Sequence, residues 1–248
     1  MNNHLSYRSG NPVLTSKAFN IQSDYTDKMT IEGTVNKTFL LLTIVMGSGY
    51  FAWTNLYASL YLAFPAFGLS VVFALLIIFN KKYISYFAPL YAITQGIGMG
   101  LISYMFNSLY DGIVITAISY TLCILFGLLS IYRLGLIKPT ENFKLGVGAA
   151  TSGIMMLYIA DMIMYYLGGT GLPVMDINNA SMMSIGFSVF VIIIASMNLV
   201  VDFDFIEEGA EKGAPKYMEW YGAFGLMITL IWLYFEILRL LAKMNSRK

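Results

Sequence analysis

The sequence predicts an all-α fold, a polytopic membrane protein built as a seven-transmembrane-helix bundle. Composition is the first ground: 58% of the 248 residues are hydrophobic and 12% charged, with a mean hydropathy of +0.68, which excludes an ordinary soluble globular chain. The second is run length. Residues 38–80, 83–110 and 112–132 carry no charge, and a membrane helix needs about 20 apolar residues. The third is punctuation by short polar connections such as Asn80-Lys81-Lys82 and residues 107–112, which implies antiparallel neighbours.

Residues 1–37 read as a soluble, mostly irregular cytoplasmic tail with a turn at Asn11-Pro12 and no signal-peptide pattern. Spans follow at 38–54, 58–79, 84–106, 112–132, 145–167, 180–201 and 219–241, a membrane domain over 38–241, and a basic tail occupies 242–248. Pro65 and Pro89 lie in or near the second and third spans, where neighbouring helices can satisfy freed carbonyls. Gly96 and Gly100 give the third span a small-xxx-small face for close helix packing. Gln95 beside them reads as hydrogen-bonded across helices.

Basic residues alternate between sides. Arg8, Lys17, Lys28 and Lys37 precede the first span; Lys81 and Lys82 lie in the second loop, Arg133, Lys138 and Lys144 in the fourth, Lys212 and Lys216 in the sixth. Loops one, three and five hold no Lys or Arg. The positive-inside rule then places the N-terminus in the cytoplasm. Seven spans put Arg239, Lys243, Arg247 and Lys248 outside, against the rule, and the earlier loops are expected to decide the orientation.

A net charge of +1 and no basic stripe argue against a nucleic-acid partner. Cys123, the single cysteine, excludes a disulfide scaffold and reads as a small buried hydrophobe. The one histidine, His4, lies in the tail, which removes a Ser-His dyad, an H-E-x-x-H zinc site and a haem pair. The chain is therefore expected to be no enzyme and to hold no cofactor, with the lipid bilayer as its first partner.

Function is expected at the membrane-embedded carboxylates, which must pair, protonate or hold a cation. Four acids crowd the hinge after the sixth run: Asp202, Asp204, Glu207 and Glu208. On a helix, Asp202 and Asp204 point about 200° apart. Asp202 shares an inward face with Asn198, and the other three form a more solvated cluster; the alternative puts all four in water at the helix end, with Lys212 and Lys216 as counter-ions. Asp161, the charge of the fifth span, would cost roughly 2.5–3.5 kcal/mol at the bilayer centre and should face the interior, with Tyr158 and Tyr165 in reach. The methionines around it suit lipid-facing packing better than Cu(I) ligation. Glu236 has Arg239 and Lys243 on its own face. Glu219 stands where an antiparallel last helix pair brings it toward Asp202 and Asp204.

The hinge run Val201-Asp202-Phe-Asp-Phe-Ile-Glu-Glu208, continuing to Gly213, resembles that of the Bax-inhibitor-like (transmembrane BAX inhibitor motif) membrane proteins. Arg8-Ser-Gly-Asn-Pro-Val-Leu14, Met29-Thr-Ile-Glu-Gly-Thr-Val-Asn-Lys37, Pro89-Leu-Tyr-Ala-Ile-Thr-Gln-Gly96, Ala214-Pro-Lys-Tyr-Met-Glu-Trp-Tyr221 and Glu236-Ile-Leu-Arg239 resemble a bacterial branch of that family. The resemblance implies a calcium-permeable leak of the inner (plasma) membrane whose gate responds to pH. Its sensor would be two aspartates, one ending the sixth span and one within the seventh. Asp202 matches the first and would be a calcium ligand, calcium preferring several oxygens. Residues 220–235 hold no acid, which leaves Glu219 and Glu236 as alternatives for the second. Bacterial relatives also imply another role, a non-transporting regulator that binds a membrane protein partner such as a quality-control protease.

Overall fold

The computed structural model describes residues 28–247; the Asn11-Pro12 turn, the rest of residues 1–27 and Lys248 lie outside the described residues. Seven α-helices follow: α1 (Ile31–Asn55), α2 (Ala63–Phe79), α3 (Ile84–Leu109), α4 (Ile113–Arg133), α5 (Glu141–Gly168), α6 (Met182–Glu211) and α7 (Met218–Asn245). Short 3-10 turns at Tyr57–Leu62 and Lys81–Tyr83 lead into α2 and α3. Among the described residues there is no strand, only an isolated antiparallel bridge between Lys28 and Pro215.

Six of the seven helices are long and apolar enough to cross a membrane: α1, α2 with its leading turn, α4, α5, α6 and α7. The expected third span, α3, which contains Pro89 and Gln95, is not among them. Helix ends also differ from the apolar runs. α1 starts at Ile31, inside the stretch expected to be an irregular tail, because Thr30 caps it: its Oγ1 accepts from Gly33 N at 3.0 Å and Glu32 sits in the first turn. α5 starts likewise at a cap, Thr140, and ends on Gly169 at φ 72°, which favours glycine. α6 continues through the acidic hinge to Glu211, and α7 runs into the expected basic tail.

The chain forms two compact units. The first contains α1, α2, α3 and residues 205–228. Here Gly49 of α1 lies against Gly96 and Gly100 of α3, and a Cβ on Gly100 would enter the Gly49 backbone. Ser70 Oγ of α2 donates to Gln95 Oε1 at 2.7 Å. Tyr91 meets Phe224 edge-on, with centroids 4.9 Å apart. Burial holds the Lys81 ammonium, which lies over the Tyr221 ring, below the usual lysine range. Because backbone cannot yield as a flexible side chain can, Gly100→Ala is expected to cost about 1–3 kcal/mol. Gly68→Ala, whose Cβ meets nothing within 4 Å, should not. Thermal unfolding in detergent compares the two.

The second unit contains α4, α5, residues 182–204 of α6 and residues 229–247, most of them in α7. Ile154 of α5 packs with Val191 and Ile194 of α6, with Trp232 of α7 against them. Large apolar side chains cover the outside of both units, Phe64 and Leu167 among the most exposed, as a lipid-facing surface requires. Met155, Met156, Met162 and Met164 are exposed on α5, in keeping with lipid-facing packing. Cys123 departs from expectation: it is exposed, because α4 buries Ile113, Val114, Ala117 and Thr121 and Cys123 lies off that stripe. α7 is the most enclosed helix, with 67% of its apolar window buried against 22% or less in α1, α2, α4 and α5. Its polar residues must therefore find partners inside the protein.

Candidate functional site

Asp202 is fully buried on α6. Thr229 Oγ1 of α7 donates to its Oδ2 at 2.5 Å. One turn before it, Asn198 donates from Nδ2 to Thr151 Oγ1 of α5 at 2.7 Å and to Ile194 O at 2.9 Å. Its own carbonyl, Oδ1, is buried with no hydrogen-bond partner among the described residues. Two residues beyond Asp202 the chain turns outward: Asp204 is partly exposed and ion-pairs with Lys144 of α5. α6 thus divides the acidic run as the 100° step of a helix requires. In the other unit Glu208 pairs with Lys212 one turn on, and Glu207 is exposed.

Glu219 does a different job. It is fully buried in the first turn of α7, where its Oε1 accepts from Thr30 N at 3.0 Å and from Thr30 Oγ1 at 2.9 Å. Lys37 pairs with its Oε2, and Lys216 with its Oε1 at 3.0 Å. Gly33 leaves the room that this carboxylate fills. Glu219 therefore fastens α7 to the capped start of α1. The expectation that it turns toward Asp202 and Asp204 gives way to these partners on α1 and in the adjoining loop.

Glu236 is also buried. It accepts from Tyr158 of α5 at 2.7 Å and from Arg239 at 2.9 and 3.1 Å. Trp232 Nε1 donates to the same Tyr158 oxygen at 3.3 Å. Lys243 does not join Glu236. Its ammonium donates to Val174 O at 2.6 Å, Ser188 Oγ at 2.9 Å and Ser184 O at 3.3 Å, so three acceptors meet its three protons. Asp161 is half-buried near the end of α5, and its Oδ1 accepts from Leu172 N at 2.6 Å in the following loop. That bond, with Gly171 against the carboxylate, replaces the expected contacts to Tyr158 and Tyr165.

Asp202, Glu219 and Glu236 are all buried and each accepts from a hydroxyl of another segment, Thr229, Thr30 and Tyr158. Glu219 and Glu236 also meet cations, as does the partly exposed Asp204, and Asp161 meets a backbone amide. Among the described residues no three His, Cys, Asp or Glu side chains gather into a metal-binding group. Gly96 and Gly100 serve helix contact. Thr229, Lys144, Thr30 and Lys37 carry parts of these sites that charge and hydropathy alone do not mark. One signal was available: Asp202 and Thr229 stand equally far either side of the Pro215-Lys216 bond, and so do Ser188 and Lys243. That symmetry is the register of two antiparallel helices.

A family model described as Bax inhibitor 1 like matches residues 11–246, nearly the whole chain. No curated protein and no solved structure matches the chain.

Proposed function

Since the chain belongs to the Bax inhibitor 1 like family of membrane proteins, we propose that it is a pH-sensitive calcium leak gated where Asp202 meets Thr229. The supporting observation is that fully buried carboxylate, held by a hydroxyl from the next helix. Ionised, Asp202 is the acceptor of a charge-assisted bond that ties α6 to α7 and keeps the path shut. Protonation removes the charge, weakens the tie and lets the helices part. The sign follows: the closed state is favoured while Asp202 is ionised and is lost as pH falls. Calcium entering the opened site meets the Thr229 hydroxyl and the Asn198 carbonyl, with water completing its shell, and takes the Asp202 carboxylate as a ligand only as it displaces the carboxyl proton.

The same reading takes α3 as the seventh span and places the protein in the inner membrane of a bacterial cell with its N-terminus in the cytoplasm. Lys243 is fully buried and Arg239 is engaged with Glu236, so neither is a free loop charge. This eases the conflict between a C-terminus outside and the positive-inside rule. Calcium release from proteoliposomes at stepped pH tests the function: efflux above protein-free vesicles, rising as pH is lowered, is expected. No efflux at any pH, together with capture of a membrane protease by the chain, would favour the regulator reading instead.

A further inference from the structure

α6 buries one unbroken face. Ser184, Ser188, Val191, Ala195, Asn198 and Asp202 recur at alternating steps of four and three residues, and each is at most 1% exposed. Eighteen residues separate the ends, about 27 Å of helix. That nearly equals the roughly 30 Å hydrocarbon thickness of a bilayer. Core faces of apolar spans are normally apolar. This one is polar at both ends, and the helices packed on it are polar at the same levels. At one end stand Thr229 and Thr151; toward the other stand Tyr158, Glu236 and Lys243.

Between the polar ends lies an apolar layer. Ile154, Val191 and Ile194 close on one another, with Trp232 packed against them. Just to the Asp202 side of this layer is the Asn198 carbonyl, buried without a hydrogen-bond partner among the described residues. An unmatched amide carbonyl in a core is costly unless water or a cation visits it. On the far side the first polar group is the Tyr158 hydroxyl on Glu236.

From this seam we infer that the cation path of the proposed leak follows the α5–α6–α7 contact and that Ile154, Val191 and Ile194 form its barrier. The inference rests on the leak reading and adds its route. The barrier acts by refusing water: a constriction lined by aliphatic side chains stays dry, and a hydrated divalent cation cannot cross it. The Asn198 carbonyl is the last oxygen before the barrier, and Glu236 is the first carboxylate beyond it. Arg239 occupies that carboxylate in the closed state, as a tethered cation. When Asp202 is protonated and α6 parts from α7, the layer widens and wets, and an arriving cation displaces Arg239 from Glu236.

The decisive experiment is calcium release from proteoliposomes at neutral pH, where wild type is held shut. Val191→Asn, which puts an amide into the apolar layer, should raise resting release about tenfold or more, and the nearly isosteric Val191→Thr should raise it less. Should Val191→Asn fail to fold, Val191→Thr and Ile194→Ser carry the same test. In a Cys123→Ser background, Asn198→Cys and Val191→Cys should react with a small charged thiol reagent faster in acid than at neutral pH, each rate taken relative to an exposed control cysteine because acid lowers every thiolate fraction. Folded Val191 and Ile194 variants that release calcium at the wild-type rate, while wild type keeps its pH-dependent leak, would overturn the route and spare the function. A wild type that releases no calcium at any pH would overturn the function and the route with it.

Discussion

Asp202→Asn is expected to leak calcium at every pH, at the rate wild type reaches only in acid. The amide keeps the shape of the side chain and can still accept from Thr229, but it removes the charge that makes this bond strong. Hydrogen bonds to charged groups contribute roughly 1.5–3 kcal/mol against about 1 for neutral pairs. At 1.4 kcal/mol per tenfold, losing that margin shifts the closed-to-open ratio by roughly two- to thirtyfold. Thr229→Val removes the donor from the other side. It should raise release at neutral pH while keeping some pH dependence, since Asp202 still titrates. A flat profile in Asp202→Asn with unchanged release in Thr229→Val would mean that Asp202 senses protons through another partner. A wild-type profile in Asp202→Asn would remove it as the sensor.

The largest stability effect is expected at Glu219. Its carboxylate accepts two bonds from Thr30 and meets both Lys37 and Lys216 while fully buried. Breaking a buried pair typically costs about 3–5 kcal/mol. Lys37 and Lys216 keep partial access to water, at 21% and 50%, and recover some hydration when the acid is gone. About 3 kcal/mol is therefore the expectation for Glu219→Ala. Glu219→Gln can keep the Thr30 bonds and should lose less. The unfolding midpoints of the two variants in mild detergent check this. Equal losses would mean that the ion pairs, not the cap on α1, carry the energy; no loss in either would mean that the clamp is unimportant. Glu219→Gln should also leave the pH dependence of calcium release intact, because the site is a fastening between α1 and α7.

Much of this arrangement is readable from sequence, and the exceptions have physical reasons. Asp202 is separable from Asp204 because a helix turns 100° per residue, and burial of the first with exposure of the second follows from that step alone. Gly96, Gly100 and Gln95 are legible because small residues and a lone amide in an apolar helix have few uses other than helix contact. The partner of Asp202 is less visible. The family resemblance directs attention to a second acid in α7, whereas the group on Asp202 is a threonine, which hydropathy does not distinguish from its neighbours. Glu219 shows another limit. Its position at the start of α7 suggests the α6 hinge, but its bonds run to a cap 189 residues away, and no local pattern encodes a contact so distant. Hydropathy also gives no reason for α1 to begin at Ile31; the capping threonine does.

Following Asp202 protonation by infrared difference spectroscopy during a pH step, alongside calcium release from the same proteoliposomes, tests the gate most directly. The account predicts a protonated-carboxyl band that grows as pH falls, disappears in Asp202→Asn, and shares its midpoint with the rise in release. A band that survives in Asp202→Asn, or calcium release that titrates where the Asp202 band does not, would contradict it.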